Sequence, residues 1–199
     1  GMVNYFLINN LSSFLEENEN INLTFSTNDL IQNFDFGIDI CIGSKVEGKN
    51  IENFYLFSYY LKMYASSQYL EKYGHPQSPE DLNKHRLIAY SREDISTFID
   101  FDWHLRSGSF NNTPRKPYLQ VSSSYALQQA AQHHFGIIAF SKYIVDRDCP
   151  DLVDIFPDEK GLKIDIYFSH YTNKENLEAI LTYRDYLHKY FRDLYPQGN

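Results

Sequence analysis

Two short polar runs carry the residue types that could do chemistry in this chain: Ser26-Thr27-Asn28 and Ser122-Ser123-Ser124. Each follows an apolar, strand-like stretch and precedes a helical one. Hydroxyls and amides at the carboxyl end of a strand, beside a helix N-terminus whose N–H groups are unpaired, suit a carboxylate or another small anion. Ordinary helix capping explains one serine in each run without a ligand. Other candidates carry less. His133-His134 has no Cys, Asp or Glu at metal-ligand spacing, so no metal and no cofactor is expected. Glu16, Glu17 and Glu19 read as a solvated helix end, and Asp100 with Asp102 as a solvated loop. No Gly-x-Ser-x-Gly elbow accompanies the serines, so no enzymatic nucleophile is expected.

Composition narrows the remaining classes. The 199 residues are 43% hydrophobic and 17% aromatic, enough for a buried core in one large domain or two small lobes. A formal charge of −8 argues against direct grip on a phosphate backbone, which needs clustered Lys and Arg. Cys41 and Cys149 stand far apart, which suggests neither a disulfide framework nor a zinc site, and a reducing cytoplasmic setting is the expectation. No apolar run reaches the length of a membrane span, so no membrane partner is expected.

The elements that must position the serines follow from periodicity and punctuation. Leu7, Leu11, Phe14 and Leu15 recur at helical spacing within 3–18, and Ile21, Leu23 and Phe25 alternate as in a strand. A short helix is expected over 29–34 and a second strand at Ile38, Ile40 and Ile42. The run from Phe54 to Ala65 would extend about 40 Å at ~3.3 Å per residue, long enough to cross between lobes. Beyond it, Ser66 or Ser67 can cap a short helix that Gly74 closes. Ser78, with Pro79 behind it and Glu80 and Asp81 in the first turn, marks another helix start with capping-box spacing. Trp103 to Leu105 and Tyr118 to Val121 read as short strands. A helix then carries Leu127, Ala130, Ala131 and His134 on one face, Gly136 supplies a left-handed stop, and Ile137 to Phe140 returns as strand. Ser141 to Arg147 is a helix ending before Pro150, and Ile164 to Phe168 alternates again. Ile180, Tyr183, Leu187 and Phe191 mark a long amphipathic C-terminal helix. Strands alternating with helices imply an α/β fold with mixed, mostly parallel sheets.

The segment LKMYASSQYLEKYGHPQSPEDLNKHRLIAY, Leu61 to Tyr90, resembles the effector-binding domain of LysR-type transcriptional regulators. Tyr69, Leu70, Gly74, Pro76, Pro79, Glu80, Asp81, Leu82 and His85 carry the most specific part of the match. FDFGIDICIG, VSSSYALQQAAQHHFGIIAFSKYIV and Asp151-Leu152-Val153 add to it. The resemblance runs from Leu7 to about Leu194. It implies a two-lobed fold of the type 2 periplasmic-binding-protein kind: residues 2–57 and 168–199 as lobe I, 58–167 as lobe II, and crossover strands near Leu56–Tyr60 and Ile166–His170. It further implies a small-molecule effector bound in a cleft between the lobes, for which Ser26, Thr27, Asn28, Ser122, Ser123 and Ser124 are the polar candidates by their place at the carboxyl ends of strands. A homodimer is implied through the helix at 3–18, the strand at 21–25 and the helix at 125–134, and DNA would be reached through an N-terminal domain without counterpart in these residues. The chain departs from the family pattern at Asp39, where Arg is frequent, at His134 in place of a glycine, and at Ser141 in place of a frequent proline. A stand-alone sensor, or a truncated dimerisation module, is the competing reading.

Overall fold

The structure, a computed structural model, describes residues 6–8, 11–26, 37–91 and 100–194. Its contacts form two compact units, Gly1–Ser58 with Asp165–Asn199, and Tyr59–Ile164. Two long strands, β2 (Ile51–Ser66) and β7 (Leu162–Tyr171), carry the chain from one unit to the other.

The first unit holds α1 (Leu11–Glu17), β1 (Ile40–Gly43), the first half of β2, most of β7 and α5 (Leu177–Leu194). β1 pairs antiparallel with β7, from Ile40 opposite His170 to Gly43 opposite Tyr167. Ile180, Tyr183, Leu187 and Phe191 fall on one stripe of α5 and are buried, as their spacing predicts. They meet aromatic partners: Phe14 lies 4.9 Å from Tyr183, and Phe57 stacks on Phe191 at 4.1 Å with the planes 22° apart. Phe6 tilts against Phe57 and meets Phe191 edge-on. Residues 21–26 correct an expectation. Their exposure alternates, yet they form no ladder among the described residues, because alternation records an extended backbone and a strand also needs a paired neighbour. The helix expected at 29–34 lies outside the described residues.

The second unit holds the rest of β2, then α2 (Ser67–Tyr73), β3 (Ile88–Tyr90), β4 (Leu119–Val121), α3 (Ser124–Gln132), β5 (Ile138–Ser141), α4 (Lys142–Asp148) and β6 (Leu152–Asp154). β2 pairs antiparallel with β5 on one edge and with β6 on the other, Tyr64 facing both Ile138 and Asp154. β3 and β4 are parallel, and one parallel bridge joins Leu87 to Ile137 ahead of β5. The sheets are mixed, with a smaller parallel share than helix-strand alternation suggests. The reason is that the long strand β2 runs against β5 and β6, while parallel pairing survives where a helical crossover returns the chain in the same direction.

Met63, Ala65, Tyr69, Leu82, Leu87, Ala89, Leu105, Ile137 and Ile155 make this unit's core. Most of the distinctive Leu61–Tyr90 segment serves that core. Ser66 caps α2, its Oγ accepting the Tyr69 N–H at 3.3 Å, and Gly74 closes the helix at φ 85°. The Tyr69 hydroxyl accepts the Arg86 N–H at 2.8 Å and lies 3.3 Å from His85 Nδ1, which ties α2 to the entrance of β3.

Three local expectations are corrected. Pro79–Lys84 is a 3-10 helix, and Ser78 makes no side-chain cap. Instead Asp81 reaches back to accept the Gln77 N–H at 3.2 Å and also binds Lys84, the tighter turn having changed which side chain meets which donor. Trp103–Leu105 is likewise a 3-10 turn rather than a strand. The left-handed residue after α3 is His134, at φ 63°, not Gly136. A glycine is required at 136 for space: a Cβ there would lie 2.3 Å from the Arg86 carbonyl oxygen.

Candidate functional site

The Ser122-Ser123-Ser124 run leaves β4 and opens α3 in the second unit. Ser123 is the N-cap, extended at φ −138° and ψ 151°, and its Oγ accepts the Ala126 N–H at 3.1 Å. Ser122 and Ser123 are exposed and Ser124 is buried. No acidic residue occupies the first turn of α3, so the positive end of that helix keeps its attraction for an anion. The neighbouring strand is tied in directly, the Ser91 N–H donating to the Val121 carbonyl at 2.7 Å. Ser91, Ser122 and Ser123 therefore form a polar rim at the carboxyl ends of β3 and β4. This is where open α/β sheets hold their ligands.

In the first unit, Ser26 is exposed at the end of the 21–26 segment, while Thr27 and Asn28 lie outside the described residues. Asp39 pairs with Lys174 at 3.0 Å. A hollow at the end of α1 is lined by Glu16, Glu17, Asn18 and Glu19, and its carboxylates would repel an anion.

Sequence reasoning missed several polar groups near the carboxyl ends of β3 and β5. Ser141, at the end of β5, is fully buried with its hydroxyl unpartnered. Asp102, expected to be solvated, is half-buried and accepts the Tyr90 N–H at 3.2 Å. His104 is only 1% exposed. Its Nε2–H donates to the Ile88 carbonyl at 3.0 Å, while Nδ1 is buried without a partner. Burial pulls the His104 pKa down to about 4 against the opposing pull of the Ile88 carbonyl, so the ring is neutral at pH 7. The available signal was a histidine between Trp103 and Leu105, two residues that belong in a core. His133 is exposed, and His134 bonds through Nδ1 to Ser66 Oγ at 2.8 Å. Neither cysteine is in a disulfide, and Cys149 is fully buried, its thiol pushed up to about 11 by burial.

Comparison with known proteins fixes the family. The sequence profile of the LysR substrate binding domain matches residues 1–192. The chain belongs to that family. An uncharacterized HTH-type transcriptional regulator of Haemophilus influenzae is 25% identical over 188 residues, which cover 89% of this chain and 62% of that protein. The HTH-type transcriptional regulator CrgA of Neisseria meningitidis serogroup B is 26% identical over 113 residues, covering 56% of this chain and 36% of CrgA. The chain thus spans less than two thirds of the length of these relatives. Among solved structures, the regulatory domain of Neisseria CrgA superposes with a TM-score of 0.75 at 22% identity, covering 94% of this chain and 93% of that one. The regulatory domain of AphB from Vibrio vulnificus does so at 0.72 and 18% identity, covering 96% and 94%. The LysR substrate binding fold expected from the Leu61–Tyr90 segment is therefore the fold observed.

Proposed function

We propose that this LysR-family domain senses a small anionic effector and conveys its occupancy to a DNA-binding segment, so that the whole protein regulates transcription without catalysing a reaction. The observation that carries the anionic part is the serine rim beside the uncompensated N-terminus of α3. A net charge of −8 supports the view that DNA is met through another segment. Work on DNA in turn supports a cytoplasmic location, and among the described residues no helix is long and apolar enough to cross a membrane.

Ser123→Asp separates function from folding. Aspartate caps helices as well as serine does, so thermal stability should hold, while a fixed negative charge at the rim should weaken an anionic effector about ten-fold or more. Ser123→Asn, a cap without charge, should leave binding close to wild type. Calorimetric titration of the two variants with an effector found by screening checks this. Equal affinity for both would remove the rim from the site.

We also propose a homodimer, supported by Ile8 and Leu15 around α1 and Tyr125 and Phe135 around α3, all exposed large apolar side chains. Tyr125→Asp should convert the dimer to monomer in sedimentation equilibrium at micromolar concentration. A wild-type chain that sediments as a monomer would contradict the pairing.

A further inference from the structure

β3 and β5 begin a parallel ladder and then abandon it. The Ile137 N–H donates to the Arg86 carbonyl at 2.8 Å, and the Ile88 N–H donates to the Ile137 carbonyl at 2.9 Å. Continued by one step, such a ladder would use the Ile88 carbonyl and the Tyr90 N–H next. It does not continue, for the bridge at Leu87 and Ile137 is isolated. Both of those β3 groups turn instead to side chains from a single turn. His104 Nε2–H donates to the Ile88 carbonyl at 3.0 Å, and Asp102 Oδ1 accepts the Tyr90 N–H at 3.2 Å. One side chain supplies the donor and the other the acceptor that a residue of β5 would have supplied.

Packing alone does not account for the histidine. An apolar ring would fill the same volume without leaving Nδ1 buried and unpartnered, which carries a desolvation cost. The neighbouring Asp102 is a second polar side chain spent on the same stretch of strand. What the pair secures is the carboxyl end of β3. From there the Ser91 N–H reaches the Val121 carbonyl at 2.7 Å, immediately before Ser122.

We propose that Asp102 and His104 act as a surrogate strand segment that closes the rung vacated by β5, and that they are positioning residues for the Ser91, Ser122 and Ser123 rim. The functional half of this proposal rests on the reading of that rim as the effector site. The surrogate-strand half does not.

Amide hydrogen exchange followed by NMR on the whole chain at pH 7 tests it. In Asp102→Ala the Tyr90 and Ser91 amides should exchange about ten-fold faster, the factor that one lost buried hydrogen bond corresponds to, with amides in α5 unchanged. Asp102→Asn, which keeps a carbonyl acceptor, should restore protection. If the alanine variant does not fold, His104→Phe, an apolar ring without the donor for the Ile88 carbonyl, takes its place at the same amides, with faster exchange again expected. Unchanged exchange at Tyr90 and Ser91, or an equal rise throughout the chain, overturns the proposal. Benzoate, as a model carboxylate, separates the two readings. Shifts of the Ser122 and Ser123 amides that saturate in wild type and weaken in Asp102→Ala support positioning of the rim. Shifts of equal strength in both overturn positioning and leave the anion reading standing. Absence of shifts in wild type counts against the anion reading, and the exchange rates still decide the surrogate strand.

Discussion

Truncating Phe191 to alanine is expected to destabilise the first unit by about 3–5 kcal/mol, the range for removing a buried aromatic side chain. Phe191 is 1% exposed, stacks on Phe57 at 4.1 Å and meets Phe6 edge-on at 6.1 Å. The cavity would open where α5 packs against β2, between two secondary-structure elements with little freedom to collapse. Such a loss is a large share of the 5–15 kcal/mol that holds a typical domain together, at about that order of magnitude. Urea unfolding of Phe191→Ala, with Phe191→Leu as the milder control, measures it. A loss below about 1 kcal/mol would mean that α5 does not anchor the unit through this ring.

The second large effect is linked to pH. The folded pKa of His104, about 4, lies below the ordinary value of 6.5 because the ring is buried. The unfolded chain therefore binds a proton that the native chain refuses. Stability from the neutral ring is fully present above about pH 6.5 and is lost as the pH falls from there towards 4, in total about 3 kcal/mol. His104→Gln keeps an N–H for the Ile88 carbonyl but cannot titrate. At pH 7.5 the variant should be less stable than wild type by about 1 kcal/mol, because its amide is a poorer fit. At pH 4.5 the order should reverse, since wild type alone has then lost most of its histidine contribution. Urea unfolding at both pH values decides the matter, and carboxylate titration common to both proteins cancels in the difference. A stability difference that stays constant between pH 7.5 and 4.5 would show that His104 is not held neutral.

Local chemistry determined which parts of this fold could be read from the residues. Ser66 and Gly74 bracket α2 because a cap and a left-handed stop act on their own neighbours. The spacing of Ile180, Tyr183, Leu187 and Phe191 fixes the buried stripe of α5 for the same reason. The strand at Ile40–Gly43 and the long run of β2 also carry their own signal, in alternation and in β-branched and aromatic side chains. What escaped depended on distant partners. Three residues, Trp103 to Leu105, are too few to separate a strand period from a 3-10 turn. Gly136 looked like a helix stop, whereas its real constraint is the Arg86 carbonyl brought against it from the segment ahead of β3. Asp102 looked solvated because nothing nearby in sequence announces that its carboxylate meets the Tyr90 N–H. The end of β4 and the start of α3 at Ser122–Ser124 were legible, but not the burial of Ser141. The distinctive Leu61–Tyr90 segment marks the family chiefly through core residues, Tyr69 and Leu82 among them, so it reports fold more directly than ligand chemistry.

If a small anion binds at the serine rim, its binding must register at the amides around the N-terminus of α3. Amide NMR spectra recorded against a library of small carboxylates and phosphates test it most directly. At least one compound is expected to give saturable shifts centred on Ser91, Ser122, Ser123 and Ala126, with an affinity that falls in Ser123→Asp and holds in Ser123→Asn. Binding whose shifts lie wholly away from that rim, or whose affinity is the same in both variants, would contradict it.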